Sequence, residues 1–354
     1  MSFVRRLIAP ATALTLAVAA LTTAGPAMAA ELNPAQVAGD TPLATINPSA
    51  RTDIDPPVWR EKLNGRNDVR EIWAHSPSMN RDVPFVIIPA QEANRPTIYL
   101  LNGADGGEGS ANWIMQTDVI DFYREKNVNV VIPMSGKLSY YTDWVSEVPE
   151  LGGKQNWETF LTKELPGPIE GYLKASNKRA IVGMSMTGTT SLLYAEHNPG
   201  FYDAVGSYSG CAGTSRGVQV AWVDEVLKRA NLNHEQMWGP LGTPIWHYND
   251  ALINAEKLRG TEVYASNGSG MTGEHDAMSS PRVQGNSLAR GNLVVLGGGI
   301  EAATNQCTHD LKAKMDQLGL PADFKFRPTG THSWGYWQED LRDSWPTFER
   351  AFNK

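Results

Sequence analysis

Cysteine is scarce. The 354 residues carry only Cys211 and Cys307, with no Cys-x-x-Cys and no His-rich pair. The histidines are scattered, so neither a metal nor a cofactor is expected. Basic residues are outnumbered, 31 Lys+Arg against 38 Asp+Glu, for a formal charge of -7. No basic stripe appears, which argues against a nucleic-acid partner. The apolar run Leu7 to Leu21 is too short and too alanine-rich for a convincing transmembrane helix. No internal repeat appears, and no linker divides the chain.

What is present begins with a secretory signal in residues 1–30. Arg5-Arg6 precede the apolar run, and Ala27-Met28-Ala29 makes a small-x-small cleavage site. A retained anchor is the alternative. Cleavage removes two arginines and no acid, moving the charge from -7 to -9. Export makes the two cysteines read as a disulfide closing a loop of 96 residues. Such a closure is nominally worth about 4–5 kcal/mol on the chain-entropy model. Two buried free thiols are the alternative.

Residues 31–57 are rich in Pro, Ala, Thr and Asp without periodicity and read as an extended leader. Residues 58–354 read as one catalytic domain. Arg70 to Ser76 and Val83 to Pro89 suggest an antiparallel hairpin at a sheet edge. Pro96 to Leu101 and Asn127 to Pro133 are continuous apolar runs, as in buried central strands. Further strands are expected over Ala180 to Val182, Asp203 to Ser209, Glu262 to Ala265 and Asp323 to Arg327. Helical patterns lie between them at Trp113 to Glu125, Trp157 to Ala175, Val218 to Ala230 and Ile300 to Leu318, with Trp337 to Phe352 closing the chain. This alternation predicts an α/β fold with a mostly parallel sheet and helices on both faces. Residues 218–250 read as an insertion lying over the sheet.

Chemistry concentrates at Gly183-Met-Ser185-Met-Thr-Gly188, between the Ala180 strand and a helix of small and apolar residues. That context is a nucleophile elbow, with Ser185 at its tip. Gly183 fills the usual glycine place before the serine; Thr187 stands in the place after it, with Gly188 one later. The alternative is an ordinary Gly-Ser turn. A serine needs a base. His332, in Thr329-Gly-Thr-His-Ser-Trp334, follows the last strand and precedes the last helix. Its alternative is a surface loop histidine. Three acids lie in the interval, Glu301, Glu274 and Asp276. Glu301 is favoured, because a disulfide at Cys307 would tie its helix beside the nucleophile; a carboxylate serving the helix dipole is its alternative. Oxyanion donors are expected from the N–H of Met186 and of Ala104, the latter in the glycine-rich loop Leu101 to Gly107. No Gly-Lys-Ser/Thr follows that loop, which disfavours phosphate binding. Trp113, Trp238, Trp246 and Trp334 fall in or near loops, where they would stack on sugar or simply pack.

Tyr99-Leu-Leu-Asn-Gly103, Tyr141-Thr-Asp-Trp144, Trp157-Glu-Thr-Phe-Leu161, Gly183-Met-Ser-Met-Thr-Gly188, Met237-Trp-Gly-Pro240 and Gly330-Thr-His-Ser-Trp334 together resemble the antigen 85-type mycolyltransferases, in order, from about Arg70 to the C-terminus. Asn102 and the paired cysteines look more like corynebacterial members. The resemblance implies an α/β-hydrolase fold and a Ser185–Glu301–His332 triad with oxyanion donors Met186 and Ala104. It places trehalose at Asn102, Ser333 and Trp334. Mycobacterial members have aspartate and arginine in the trehalose loop where this chain has Asn102 and Asp105. The activity implied is transfer of a mycoloyl chain between trehalose esters or onto arabinogalactan, in the outer lipid layer of the envelope. The lipid groove would be walled by Ala221, Trp222, Val226 and Leu227. The rivals are a secreted carboxylesterase and a non-catalytic protein binding the envelope or a host matrix protein.

Overall fold

A computed structural model describes residues 41–354. The expected signal in residues 1–30 lies outside the described residues, as does the first part of the leader. Nine strands form one sheet: β1 (Thr45–Asn47), β2 (Arg70–Ser76), β3 (Arg81–Ile88), β4 (Thr97–Leu100), β5 (Asn129–Pro133), β6 (Arg179–Met184), β7 (Ala204–Tyr208), β8 (Glu262–Asn267) and β9 (Asp323–Phe326). Their order is β1-β2-β3-β5-β4-β6-β7-β8-β9. β1, β2 and β3 pair antiparallel, and β3 joins β5 antiparallel. All pairings from β5 to β9 are parallel. The architecture is the expected mostly parallel α/β sheet. One refinement is β1: part of the leader supplies the outermost strand, so the β2–β3 hairpin lies one strand inside the edge.

The central strands are apolar on both sides because both faces are covered. In β4, Ile98 and Leu100 point to one core, while Tyr99 and the following Leu101 point to the other. That is the period of two of a strand, read here with no polar face.

Three expected helices are broken, each for a chemical reason. Trp157 to Ala175 forms Trp157–Thr159, a wide turn at Phe160–Glu164, and Pro166–Leu173. Pro166 and Pro168 bring no N–H, so regular i→i−4 bonds lapse there. Leu165 N–H instead reaches back to Phe160 O at 2.9 Å, a π-type bond. Trp113 to Glu125 divides into Trp113–Gln116 and Val119–Lys126. At the division Thr117 is extended, and its Oγ1–H donates to Trp113 O. The closing helix starts earlier than expected and divides into Trp334–Asp343 and Trp345–Phe352, with Pro346 at the second start.

Residues between β7 and β8 form short helices, Val218–Leu227, His234–Trp238 and Pro244–Tyr248 among them. Leu227, Met237, Trp238 and Trp246 anchor this segment in the core, while Val218 and Trp222 face solvent. No helix among the described residues is long and apolar enough to cross a membrane.

Candidate active site

The site lies where the parallel strands end, at the carboxyl edge of the sheet, as open α/β sheets favour. β6 ends at Met184 and the helix Met186–His197 begins two residues later, leaving Ser185 alone to turn the chain. Its φ of 56° and ψ of -123° are strained for a residue with a side chain. The turn is held from both sides. Ser185 N–H donates to Tyr208 O of β7 at 2.8 Å. Thr187 Oγ1 accepts from Met184 N–H at 3.0 Å and donates to Met184 O at 3.1 Å. Thr187 therefore staples the turn from the place where a glycine is usual. Gly183 has no such freedom, because a Cβ there would lie 2.0 Å from Thr187 O. The helix that follows is wholly buried over its twelve residues.

His332 arrives on the loop after β9. That loop is zipped to the one after β8: Gly270 N–H donates to Gly330 O, and Gly330 N–H to Met271 O. His332 N–H donates to Gly297 O at 3.1 Å. Its ring joins two partners, Glu301 Oε2 at Nδ1 and Ser185 Oγ at Nε2, each at 2.7 Å. An ionised carboxylate only accepts, so Nδ1 carries the proton and Nε2 is left to accept from Ser185 Oγ–H. The edge of the ring meets Trp337 at 4.9 Å between centroids.

Glu301 is 1% exposed. Its second oxygen, Oε1, accepts from Ser209 Oγ, Asn267 Nδ2 and Gly268 N–H at 2.9, 2.8 and 2.6 Å. Trp337 Nε1–H in turn donates to Ser209 Oγ. The dipole alternative for Glu301 does not describe this arrangement. Helical backbone already runs from Ser287, so Glu301 does not stand at a free helix start. The cysteines are joined, Cys211 just after β7 to Cys307 on the Glu301 helix. Of the other two acids, Glu274 is exposed, and Asp276 is buried but bonded to Thr331 and Tyr336 rather than to His332.

The loop Leu101 to Gly107 passes beside the elbow, since a Cβ on Gly103 would lie 2.6 Å from Met184 Sδ. Ala104 O accepts from Leu138 N–H, which fixes the orientation of that peptide. The N–H groups of Ala104 and Met186 donate to nothing among the described residues. For Met186 this follows from its position at the first residue of a helix. Burial raises the Asp105 carboxyl above its usual range, although Gly109 and Ala111 N–H both donate to it.

Several expected sugar contacts are not brought to the surface. Asn102 is fully buried; its Nδ2 donates to Pro133 O and its Oδ1 accepts from Trp113 N–H. Its amide braces the loop from inside. Trp113, Trp238 and Trp246 are likewise fully buried. Trp334 is half-buried, edge-on to Trp113 and Trp337. Ser333 Oγ is buried and has no partner among the described residues. Sequence reasoning missed Ser209, Asn267 and Trp337 around Glu301. The signal for the first two was a polar residue directly at or after the end of a buried strand, where a strand hands over to the site.

With this geometry in hand, comparison with known proteins is specific. A family model described as a putative esterase matches residues 76–348. The chain is 32% identical over 286 residues to diacylglycerol acyltransferase/mycolyltransferase Ag85A of Mycobacterium leprae, covering 78% of this chain and 81% of that protein. It is 31% identical over 283 residues to the Mycobacterium tuberculosis Ag85A, covering 78% and 79%. Among solved structures, Mycobacterium tuberculosis MPT51 (FbpC1) superposes with a TM-score of 0.63 at 22% identity, over 78% of this chain and 96% of that one. An S-formylglutathione hydrolase from Agrobacterium tumefaciens gives 0.60 at 14% identity, over 82% and 98%. These two show the fold.

Proposed function

This chain belongs to the antigen 85-type mycolyltransferases of the esterase family, and we propose that it is an exported acyltransferase. In this reading it moves a mycoloyl chain from trehalose monomycolate to a second trehalose monomycolate or to cell-wall arabinogalactan. The observation that supports it most is the unbroken line from Glu301 through His332 to Ser185, with 2.7 Å at each step.

The reaction follows from that line. Ser185 Oγ attacks the donor ester carbonyl while His332 Nε2 takes its proton. The Glu301 carboxylate stabilises the imidazolium so formed. The oxyanion is received by the free N–H groups of Ala104 and Met186. The carbonyl re-forms, the C–O bond to trehalose breaks, and the imidazolium protonates the departing sugar oxygen. In the second half a sugar hydroxyl gives its proton to His332 Nε2 and takes the acyl group, and Ser185 recovers its proton. Trp334 and Ser333, the two residues after His332, are assigned to the sugar; Asn102 is not, because its amide is already engaged. The exposed face of Val218–Leu227, at Ala221 and Trp222, is assigned to the lipid. The proposal includes a cleaved signal in residues 1–30, and 218–250 as an insertion over a 58–354 catalytic domain. Contact with the outer lipid layer and with host matrix protein belongs to the same reading.

The test gives the mature protein trehalose monomycolate alone. Dimycolate plus free trehalose is the expected product, and Ser185→Ala should form no acyl-enzyme and no product. An acyl-enzyme in that variant would overturn the assignment of the nucleophile. A second reading, carboxylesterase, draws on the family model's own description; free mycolic acid released even with a sugar acceptor present would favour it.

A further inference from the structure

Asp276 is a buried carboxylate that the reaction above does not use. It is 0% exposed, and no arginine, lysine or histidine forms an ion pair with it among the described residues. Its oxygens are spent on three donors. Oδ1 accepts from Thr331 Oγ1–H at 2.6 Å. Oδ2 accepts from Tyr336 OH at 2.8 Å and from Gly273 N–H at 2.8 Å. Thr331 directly precedes His332, and Tyr336 lies one helical turn after it. The histidine loop is therefore gripped on both sides of its base by one side chain.

We propose that Asp276 is a positioning residue for His332: by holding Thr331 and Tyr336 it fixes the ring where Nε2 meets Ser185 Oγ. This rests on the reading of Ser185 and His332 as nucleophile and base. The physical need is plain. His332 stands on a loop, and loops are free to shift unless tied. An error of about 1 Å in a base can cost roughly 100-fold in rate. The backbone bond from His332 N–H to Gly297 O locates the main chain on one side only. Asp276 adds restraint through the side chains on either side, from a separate loop. It is also fixed itself, because Arg290 Nε–H donates to its carbonyl oxygen.

The experiment follows the rate at which a fluorophosphonate labels Ser185, together with kcat and KM for transfer. Wild type labelled and Ser185→Ala unlabelled tests the underlying reading separately; labelling of Ser185→Ala would sink that reading and this inference with it, whereas the variants that follow test this inference alone. Thr331→Val keeps the shape and removes the hydroxyl. It should slow labelling and kcat by about 10- to 100-fold with KM within about twofold. Thr331→Ser, which keeps the hydroxyl, should restore the rate. Tyr336→Phe gives an independent second variant with a smaller loss of the same kind. If Thr331→Val and Tyr336→Phe both melt earlier but label at the wild-type rate, Asp276 is a structural brace only and the proposal fails.

Discussion

Glu301 uses its two oxygens for different tasks, and that division decides what a conservative change would do. Oε1 is committed to three donors from Ser209, Asn267 and Gly268, whereas Oε2 faces His332 alone among the described residues. In Glu301→Gln the amide oxygen belongs on the three-donor side, where an NH2 group would face N–H donors. The amide NH2 is then turned towards His332 Nδ1 and forces it to accept. The proton moves to Nε2, which can no longer accept from Ser185. We expect kcat to fall about 10⁴-fold, the scale for a triad histidine held in the wrong tautomer, with little change in the melting temperature. Steady-state transfer and thermal melting of the variant check this together. Retention of more than a tenth of the activity would show that the tautomer is set elsewhere. The residue scale is also where sequence reasoning falls short. Ser185 and His332 announce themselves by their strand–turn–helix and strand–loop–helix settings. Asn102 and the loop tryptophans did not reveal which way they point, because that depends on partners far along the chain, such as Pro133 for the Asn102 amide.

Between elements, the crosslink joins the end of β7 to the helix that carries the acid. It closes a loop of 96 residues containing β8 and the whole segment between β7 and β8. Restricting such a loop acts mainly on the unfolded chain. Glu301 stands six residues before Cys307 and keeps its own three donors. The double change Cys211→Ser with Cys307→Ser should therefore lower stability by about 2–5 kcal/mol. Below its melting temperature the variant should keep kcat within about threefold of wild type. Denaturant unfolding and initial rates on the same preparation separate the two effects. An unchanged unfolding midpoint would refute the entropic account, and a large loss of kcat at full foldedness would show that the bond places the acid. At this scale eight of the nine strands were legible within a few residues, because apolar runs bounded by turns have few other readings; β1 was not, because it lies in a leader without periodicity. Helix continuity was not. Pro166, Pro168 and Pro346 were visible as residues, yet the apolar spacing ran across them and concealed the breaks.

Over the whole molecule, the acidic charge hides an uneven distribution of carboxyl groups. Burial, aided by the nearby Glu158, raises the Asp143 carboxyl to about 6. Burial raises that of Asp340 to about 6 as well, against the pull of Arg327. Glu196, on the helix that starts at the elbow, is fully buried with neither oxygen partnered among the described residues, and burial holds it well above the usual carboxyl range. For each of these the folded chain binds the proton more tightly than the unfolded chain does. Their contribution is present at low pH and is lost as pH rises, between about 4 and 6 for Asp143 and Asp340, and Glu196 acts in the same sense. Asp68 works in the opposite sense. Hydrogen bonds from Arg66 hold it below its usual range, so its contribution is lost only as the solution becomes strongly acid. Together these place the stability maximum on the acid side of neutrality, and stability should decline from about pH 4 to pH 6 as Asp143 and Asp340 lose their protons, with Glu196 acting in the same sense. Urea midpoints across that range measure it, and midpoints that rise from about pH 4 to 6 would contradict the assignment. Glu196→Gln isolates the part owed to this carboxyl. With it removed, the midpoint of the variant should fall less steeply with rising pH than that of wild type. Equal slopes for the two proteins would mean that Glu196 is solvated or paired in solution, and that the decline comes from another part of the fold.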